Sequence, residues 1–242
     1  MSISYIKERA RLALSGRWGI SILAGLIASF FGVTSFSGGG SIEFKFDGDS
    51  NTNTDVNMED MLDQLGITED MLALMAYFLV VAAFIGLVVA VAQFIIGSAV
   101  GVGYAKFNLD LVDFYPPSVG TLFSRFRQMG TAICANLLAG LHVMLFMLLL
   151  IVPGIIVAFN YAMVNYVLAE NPRLTASEAL AESKRIMKGH RFKFFCLNLS
   201  FLGWSFLSVL TLGVGFIWLV PYVEASHAAF YREINRPAVT YI

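Results

Sequence analysis

Long stretches without any charged residue are the dominant pattern along this chain. No Asp, Glu, Lys or Arg occurs in residues 18–42, 71–105, 128–169 or 194–223. A helix needs about 20 mainly apolar residues to cross the hydrocarbon of a bilayer, which is about 30 Å thick. The pattern therefore predicts an all-α fold, namely a polytopic bundle of membrane helices.

The lengths of these stretches predict six transmembrane helices. The first two stretches predict one helix each, at about 18–35 and 71–99, and the other two are long enough for two short helices each. The basic start of the chain, followed by an apolar stretch, also fits a signal peptide. Because residues 36–40 are a poor small-residue cleavage site, we expect this stretch to be retained as the first helix.

Two turns are predicted inside the longer stretches. Val152-Pro-Gly154 and Thr211-Leu-Gly-Val-Gly215 contain proline and glycine, which are the strongest helix breakers. The alternative for the first site is one long helix kinked at Pro153, which membrane helices tolerate. That alternative would move residues 173–193 to the other side of the membrane.

The distribution of basic residues predicts the orientation of the helices. Only one of the 16 Lys and Arg residues, Lys45, lies in segment 34–70. Cytoplasmic segments of membrane proteins carry an excess of Lys and Arg. We therefore expect a multi-pass protein of the cell membrane with both termini in the cytoplasm and 34–70 as an extracytoplasmic acidic loop. The cytoplasmic parts would be an amphipathic arm, 1–17, and the segments 104–127 and 170–193.

Composition agrees with a membrane protein and excludes some other classes. The chain is 57% hydrophobic and 14% charged, whereas soluble domains are about 45–50% apolar and about 25% charged. A net charge of −1 and the lack of a basic tract give no indication of nucleic-acid binding. Cys134 and Cys196 both fall in apolar stretches, so we expect packing residues rather than a disulfide.

Three short basic stretches, each followed by an apolar one, suggest an internal repeat. They are 9–18, 124–130 and 183–192, and each contains a glycine. The pattern predicts three hairpin-like units, each made of a short basic interfacial helix and two spans. In the third, Thr175 and Glu178 have the spacing of a capping box at a helix start. Five basic residues surround the apolar stripe of this helix and are predicted to contact anionic lipid headgroups, or only to fix the topology: Lys184, Arg185, Lys188, Arg191 and Lys193.

Polar residues inside the apolar stretches are the candidate site, because such groups are costly within a membrane. Glu224 and His227 are three positions apart and share a helix face, which we expect to point into the protein. His142, Asn160 and Asn165 complete the set. The alternatives are hydrogen bonds between helices, a proton-relay or polar-substrate site, and a metal site. We expect no bound metal and no cofactor.

Two further patterns bear on partners. Gly97-x-x-x-Gly101 permits close helix contact, either within the chain or with a second copy or another membrane protein.

Residues 47–55 alternate oxygen-bearing side chains from Asp47 to Asp55, but Thr52 and Met58 replace the glycine and the closing glutamate of a calcium loop. We therefore expect a solvated loop here, followed by a short amphipathic helix at 57–66.

Several segments together resemble one known family. They include Val152-Pro-Gly-Ile-Ile156, Leu168-Ala-Glu-Asn-Pro172, Met187-Lys-Gly189, Leu199-Ser-Phe-Leu-Gly-Trp204 and Pro221-Tyr222. In these segments the chain resembles a family of bacterial integral membrane proteins known as domain of unknown function 975 (DUF975), over 1–33 and 71–236. The resemblance implies a multi-span bundle, and it implies neither catalytic residues nor a substrate.

No nucleotide-binding, hydrolase or zinc-protease motif occurs in the chain, which weakens the case for an enzyme. We expect a protein that transports a small or lipid-like molecule, or that assists such transport. The alternative is a non-transporting accessory, scaffold or envelope-stress protein that binds a partner, and an intramembrane enzyme is the third possibility. A polar cavity reaching Glu224, His227 and Asn160 would favour transport.

Overall fold

The computed structural model describes residues 3–30 and 69–235, and within these ranges every regular element is a helix. The all-α prediction is therefore confirmed for the described part of the chain. The helices are α1 (Ile3–Leu14), α2 (Trp18–Phe30), α3 (Glu69–Val112), α4 (Met129–Leu149), α5 (Ile151–Tyr161), α6 (Val164–Glu170), α7 (Ala176–Met187), α8 (Arg191–Leu210) and α9 (Phe216–Ile234). Short 3₁₀ turns at Val119–Phe123 and Phe126–Gln128 lead into α4. The predicted acidic loop, with its helix at 57–66, lies outside the described residues.

Internal contacts divide the chain into a smaller unit, residues 41–93, and a main unit, residues 1–40 and 94–242. In the smaller unit the structure describes the first half of α3. From Met71 to Gln93 its described side chains are exposed, with Val81 half-buried. A helix that is apolar all round belongs in a hydrophobic environment such as a membrane.

Within residues 3–30 and 69–235, four helical stretches are long and apolar enough to cross a membrane: Ala73–Val112, Val119–Leu149, Ile151–Glu170 and Arg191–Leu210. A fifth is counted if α1 and α2, which meet at an angle of 102°, are taken as one broken span. The predicted first span continues beyond the described end of α2. The predicted last span, α9, carries Glu224, Arg232 and Glu233 within its 19 residues. Four or five candidate spans are thus present, and the count of six stays a prediction.

The predicted break near Pro153 occurs at Leu150, whose backbone is extended between α4 and α5. Pro153 then falls in the first turn of α5, where its missing N–H interrupts no helical hydrogen bond. The two helices pack against each other. At Gly154 the contact is so close that an added Cβ would lie 2.8 Å from the Cα of Met147.

The second predicted turn is found at Thr211–Gly215, between α8 and α9. The Thr211 hydroxyl accepts a hydrogen bond from the Gly215 N–H at 3.1 Å and donates one to the Ser208 carbonyl at 2.9 Å. Gly213 adopts a φ of +89° within the turn. Local sequence therefore specifies this turn.

Two amphipathic helices belong to the protein core of the main unit. The predicted N-terminal arm forms α1, which packs along α9 and buries Ile6, Ala10 and Leu14. The predicted interfacial helix forms α7, which buries Ile186 and Met187 in the same cluster. Both helices therefore pack on protein with their apolar faces.

The predicted repeat is incomplete in the structure. Gly16 and Gly189 adopt positive φ, +75° and +84°, in the links that follow α1 and α7. The corresponding Gly130 lies inside α4, and the residues before it form only the 3₁₀ turn Phe126–Gln128. The basic helix thus occurs in the first and third units, whereas in the second unit the basic stretch is too short to form one.

The capping box predicted at the start of α7 is confirmed. The Thr175 N–H donates to the Glu178 carboxylate at 2.8 Å, and the Glu178 N–H donates to the Thr175 hydroxyl at 3.4 Å. The bonds from Thr175 lower the pKa of Glu178 because they favour its charged form. Thr175 and Glu178 therefore fix the first residue of α7.

Candidate functional site

Glu224 and His227 lie one turn apart on α9, and each contacts another helix of the protein. The Glu224 carboxylate accepts a hydrogen bond from the Tyr166 hydroxyl of α6 at 3.1 Å. The His227 ring is 3% exposed, and its Nε2 lies 3.1 Å from Oδ1 of Asn198 on α8. The two side chains thus have different partners, and each connects α9 to a different helix.

The other predicted site residues differ in burial and in hydrogen bonding. His142 is exposed on α4, with its Nδ1 2.7 Å from the Leu138 carbonyl and its ring against Tyr161. Asn160 is buried, and its backbone carbonyl accepts a hydrogen bond from the Ser183 hydroxyl at 2.7 Å. The side-chain oxygens of Asn160 and Asn165 are buried and have no hydrogen-bond partner among the described residues. Among the described residues, no group of three or more His, Cys, Asp or Glu side chains is arranged to hold a metal ion.

A cluster of charged residues at the ends of several helices was not expected from the sequence. The guanidinium of Arg232 on α9 lies 2.5 Å from the carboxylate of Asp113, just beyond α3, and also pairs with Glu170 at the end of α6. Glu170 further accepts hydrogen bonds from Tyr231 at 2.6 Å and Asn235 at 2.9 Å. The cluster holds α3, α6 and α9 together by interactions between half-buried charges.

The five basic residues predicted to contact headgroups lie in and just after α7. Four of them, Lys184, Arg185, Lys188 and Lys193, are exposed, and Arg191 is half-buried. Arg185 also forms an ion pair with Glu182 at 2.6 Å. The hydrogen bond from Arg185 lowers the pKa of Glu182. The end of α7, the link after it and the start of α8 therefore carry exposed cations, as the predicted contact requires.

A cavity of about 290 Å³ lies where the start of α2 meets α8 and α9. Trp18, Trp204 and Trp218, which are all the tryptophans of the chain, line it. Among its lining residues, Arg11 of α1 is the only one with a charge. The volume is at the lower end of the range of about 300–1,000 Å³ that is typical of ligand pockets. The cavity therefore has the size and the apolar walls of a site for one short alkyl chain.

The small-residue face of α3 is used inside the main unit. Ser98 and Gly101 are buried there. A Cβ added to Gly103 would lie 1.9 Å from the Leu122 carbonyl oxygen, so α3 and the turn Val119–Phe123 are in direct backbone contact. Part of this face therefore packs within the chain, and its contact with a second copy or another membrane protein stays a prediction.

Comparison with known protein families gives a match that includes most of these features. A family model described as "Protein of unknown function (DUF975)" matches residues 49–238. The chain belongs to the DUF975 family. Neither the curated proteins nor the solved structures provide a match.

The matched range of this DUF975 protein differs at its start from the resemblance seen in the sequence. It includes the end of the acidic loop and leaves out residues 1–48, and with them α1 and α2. It contains the charged cluster around Arg232 and both α8 and α9. Two of the three cavity tryptophans, Trp204 and Trp218, therefore lie inside the match, and Trp18 lies before it.

Proposed function

We propose that this DUF975 protein binds a lipid-like amphiphile within the cell membrane and transports it or assists its transport. The observation that carries the proposal is the cavity lined by the three tryptophans. As part of the same proposal, six spans in three hairpin-like units place both termini in the cytoplasm. The exposed basic residues between the end of α7 and the start of α8 then contact the anionic headgroups of the cytoplasmic leaflet.

The walls of the cavity support an apolar ligand. Ser208 and Thr211 are its two lining residues with an aliphatic hydroxyl group, and both hydroxyls bond to backbone atoms. The Ser208 hydroxyl donates to the Trp204 carbonyl at 2.8 Å, and the Thr211 hydroxyl bonds within the turn that follows α8. Leu207 and Leu219 supply further apolar surface. An alkyl chain would therefore meet hydrocarbon and aromatic rings along most of its length.

The placement of the polar residues supports a lipid-like rather than a polar solute. Glu224, His227 and Asn160 line neither this cavity nor a second one of about 120 Å³ between α2 and α9. Glu224 and His227 are instead joined to Tyr166 and Asn198 across the bundle. Their observed contacts are those of groups that hold helices together.

A different observation favours the alternative of an accessory protein. The first half of α3 is exposed and apolar on every side, and the stretch that contains it has the highest mean hydropathy among the candidate spans, 2.8. Such a helix can be covered by lipid or by the helix of a partner protein. An accessory role would require a partner on 73–93 and no ligand in the cavity.

Tryptophan fluorescence tests the proposal, because all three tryptophans line the cavity. The full chain is placed in nanodiscs of zwitterionic lipid and titrated with ω-bromododecyl phosphate, since bromine quenches tryptophan on contact. Binding in the cavity should give quenching that saturates at a low mole fraction of the amphiphile. Collisions in the bilayer alone would give quenching that rises linearly.

Two leucines of α8 provide matched variants for this titration. Leu207 lines the cavity, whereas Leu210 is 64% exposed and does not. Leu207→Phe adds volume inside the cavity and should weaken the saturable quenching. Leu210→Phe makes the same change outside it and should leave the quenching as in the wild type. Equal effects of the two variants, or linear quenching in the wild type, would contradict a site in the cavity.

A further inference from the structure

The chemistry of one end of the cavity indicates which headgroup the ligand carries. This inference rests on the proposed function. Arg11 is the only charged lining residue, and its guanidinium carbon lies 5.7 Å from the centre of the Tyr222 ring. A cation placed over an aromatic ring is held there by the ring's quadrupole. Arg11 is thus positioned at the cavity although no carboxylate pairs with it among the described residues.

The neighbouring arginines differ from Arg11 in this respect. Arg9 lies 3.9 Å from the carboxylate of Asp113. Arg17 donates to the carbonyls of Tyr115 and Phe114 at 2.9 and 3.3 Å. Among these three arginines, Arg11 alone has no anion or carbonyl in contact in the described part of the chain. Its five N–H donors therefore remain for a ligand.

Tyr222, whose ring lies against Arg11, also lines the cavity and carries a second polar group. The Tyr222 hydroxyl is buried and has no hydrogen-bond partner in the described structure. Its ring is held by an edge contact with Phe201, at a centroid distance of 5.3 Å. A buried hydroxyl without a partner is costly, and a ligand oxygen would satisfy it. Arg11 and Tyr222 together therefore form a donor pair for an oxyanion.

The rest of the cavity runs away from this pair toward the turn between α8 and α9. On α9 the lining residues extend from Tyr222 back to Gly215, about 10 Å at 1.5 Å per residue. On α8 they extend from Trp204 to Leu207 and Ser208, and then to Thr211 in the turn. The polar end and the apolar walls thus follow one another along the two helices, as the two parts of an amphiphile do.

We propose that the cavity selects an amphiphile with one alkyl chain and an anionic phosphate, sulfate or carboxylate headgroup. Arg11 and the Tyr222 hydroxyl donate to the headgroup oxygens. The alkyl chain lies against Trp204 and Trp218 and points toward the turn at Thr211–Gly215. A guanidinium suits this headgroup, because its planar set of donors matches the geometry of an oxyanion.

Two probes that share one chain but differ in charge test the selectivity. The full chain in nanodiscs of zwitterionic lipid is titrated with ω-bromododecyl phosphate and with neutral ω-bromododecyl glucoside, and tryptophan quenching is followed. The phosphate should bind at least about tenfold more tightly, because hydrogen bonds to charged groups are worth roughly twice those between neutral groups. Equal affinity for the two probes would overturn the headgroup assignment and leave the proposed function in place.

Variants of α1 assign the selectivity to one residue. Arg11→Gln should weaken binding of the phosphate about tenfold and leave binding of the glucoside unchanged, which also shows that the variant folds. Lys7→Gln removes the same charge one turn earlier, where Lys7 lies over the Phe201 ring and does not line the cavity. It should have little effect. An equal loss in both variants would overturn the role of Arg11 and indicate general attraction to basic residues.

A third variant tests the second donor, and the remaining outcomes separate the two proposals. Tyr222→Phe keeps the ring and removes the hydroxyl, so it should weaken binding of the phosphate by a few-fold and not that of the glucoside. No change in phosphate binding would overturn the role of this hydroxyl. If neither probe gives saturable quenching in the wild type, the proposed function itself is wrong.

Discussion

Arg232 on α9 forms an ion pair with Asp113, which lies just beyond the C-terminal end of α3, at a distance of 2.5 Å. The same guanidinium pairs with Glu170, so one cation serves two carboxylates. All three side chains are partly shielded from solvent, with 22–30% of their surface exposed. An ion pair in such a position contributes more to the stability of the folded state than a surface pair does, because water and salt screen it less.

Replacing Arg232 should therefore destabilise the protein. Arg232→Gln leaves Asp113 and Glu170 without their cation, and we expect a loss of about 2 kcal/mol, between the values for exposed and fully buried pairs. The measurement is the thermal unfolding temperature of the detergent-purified protein. Arg185→Gln is the matched control, since Arg185 is paired with Glu182 on the exposed face of α7. An equal decrease for the control would contradict the structural role of the cluster.

Two glycines of α3 should respond in opposite ways to the same substitution. Gly103→Ala places a Cβ against the Leu122 carbonyl, and we expect a loss of about 1–3 kcal/mol from overpacking. Gly86 has no atom within 4 Å of its added Cβ, so Gly86→Ala should stabilise the helix by about 0.5–1 kcal/mol. Unfolding temperatures of the two variants check this. A similar decrease in both would argue against the contact between α3 and the turn that contains Leu122.

The stability of the protein should depend less on the charge of Glu224 than on its hydrogen bond. The amide oxygen of Glu224→Gln can still accept from the Tyr166 hydroxyl, so folding and expression should survive. Glu224→Leu leaves that buried hydroxyl without its side-chain partner and should cost about 1–3 kcal/mol. Unfolding temperatures of the two variants provide the comparison. If Glu224→Gln is the less stable of the two, the charge itself holds α6 and α9 together.

The contribution of the capping box to stability should depend on pH. Because folding lowers the pKa of Glu178 from its ordinary value of 4.5, its carboxylate stabilises the folded state fully above that value. The contribution is lost as pH falls through the lowered pKa of the folded state. The wild type should therefore unfold at a higher temperature than Glu178→Gln at pH 7, and the difference should shrink below about pH 4.5. A difference that stays constant with pH would show that the carboxylate is not responsible.

Features that depend on neighbouring residues could be predicted from the sequence. The capping box at Thr175 and the turn at Thr211–Gly215 are set by local backbone chemistry, and the structure contains both. The break near Pro153 was also predicted, but it lies at Leu150, because proline is accepted in the first turn of a helix. Local signals thus give the existence of a break more reliably than its position.

Features that depend on the arrangement of distant segments could not be predicted. Asp113, Glu170 and Arg232 are far apart in the chain. No spacing pattern in the sequence indicates that they lie close together in the fold. His142 was grouped with Glu224 because both lie in apolar stretches, but it is exposed on α4. The apolar residues of a membrane helix face both lipid and protein, so hydropathy does not indicate which face is buried. The cavity was missed for the same reason, since its tryptophans come from three separate helices.

Photo-crosslinking in the membrane can show whether an amphiphile occupies the cavity. The full chain in zwitterionic lipid is irradiated with dodecyl phosphate that carries a diazirine at the end of its chain, and the labelled residues are found by mass spectrometry. Labels are expected on the cavity wall, at Leu207, Trp218 and Leu219, and an excess of unlabelled dodecyl phosphate should remove them. Labels spread over the exposed residues 73–93, and unaffected by the competitor, would contradict binding in the cavity.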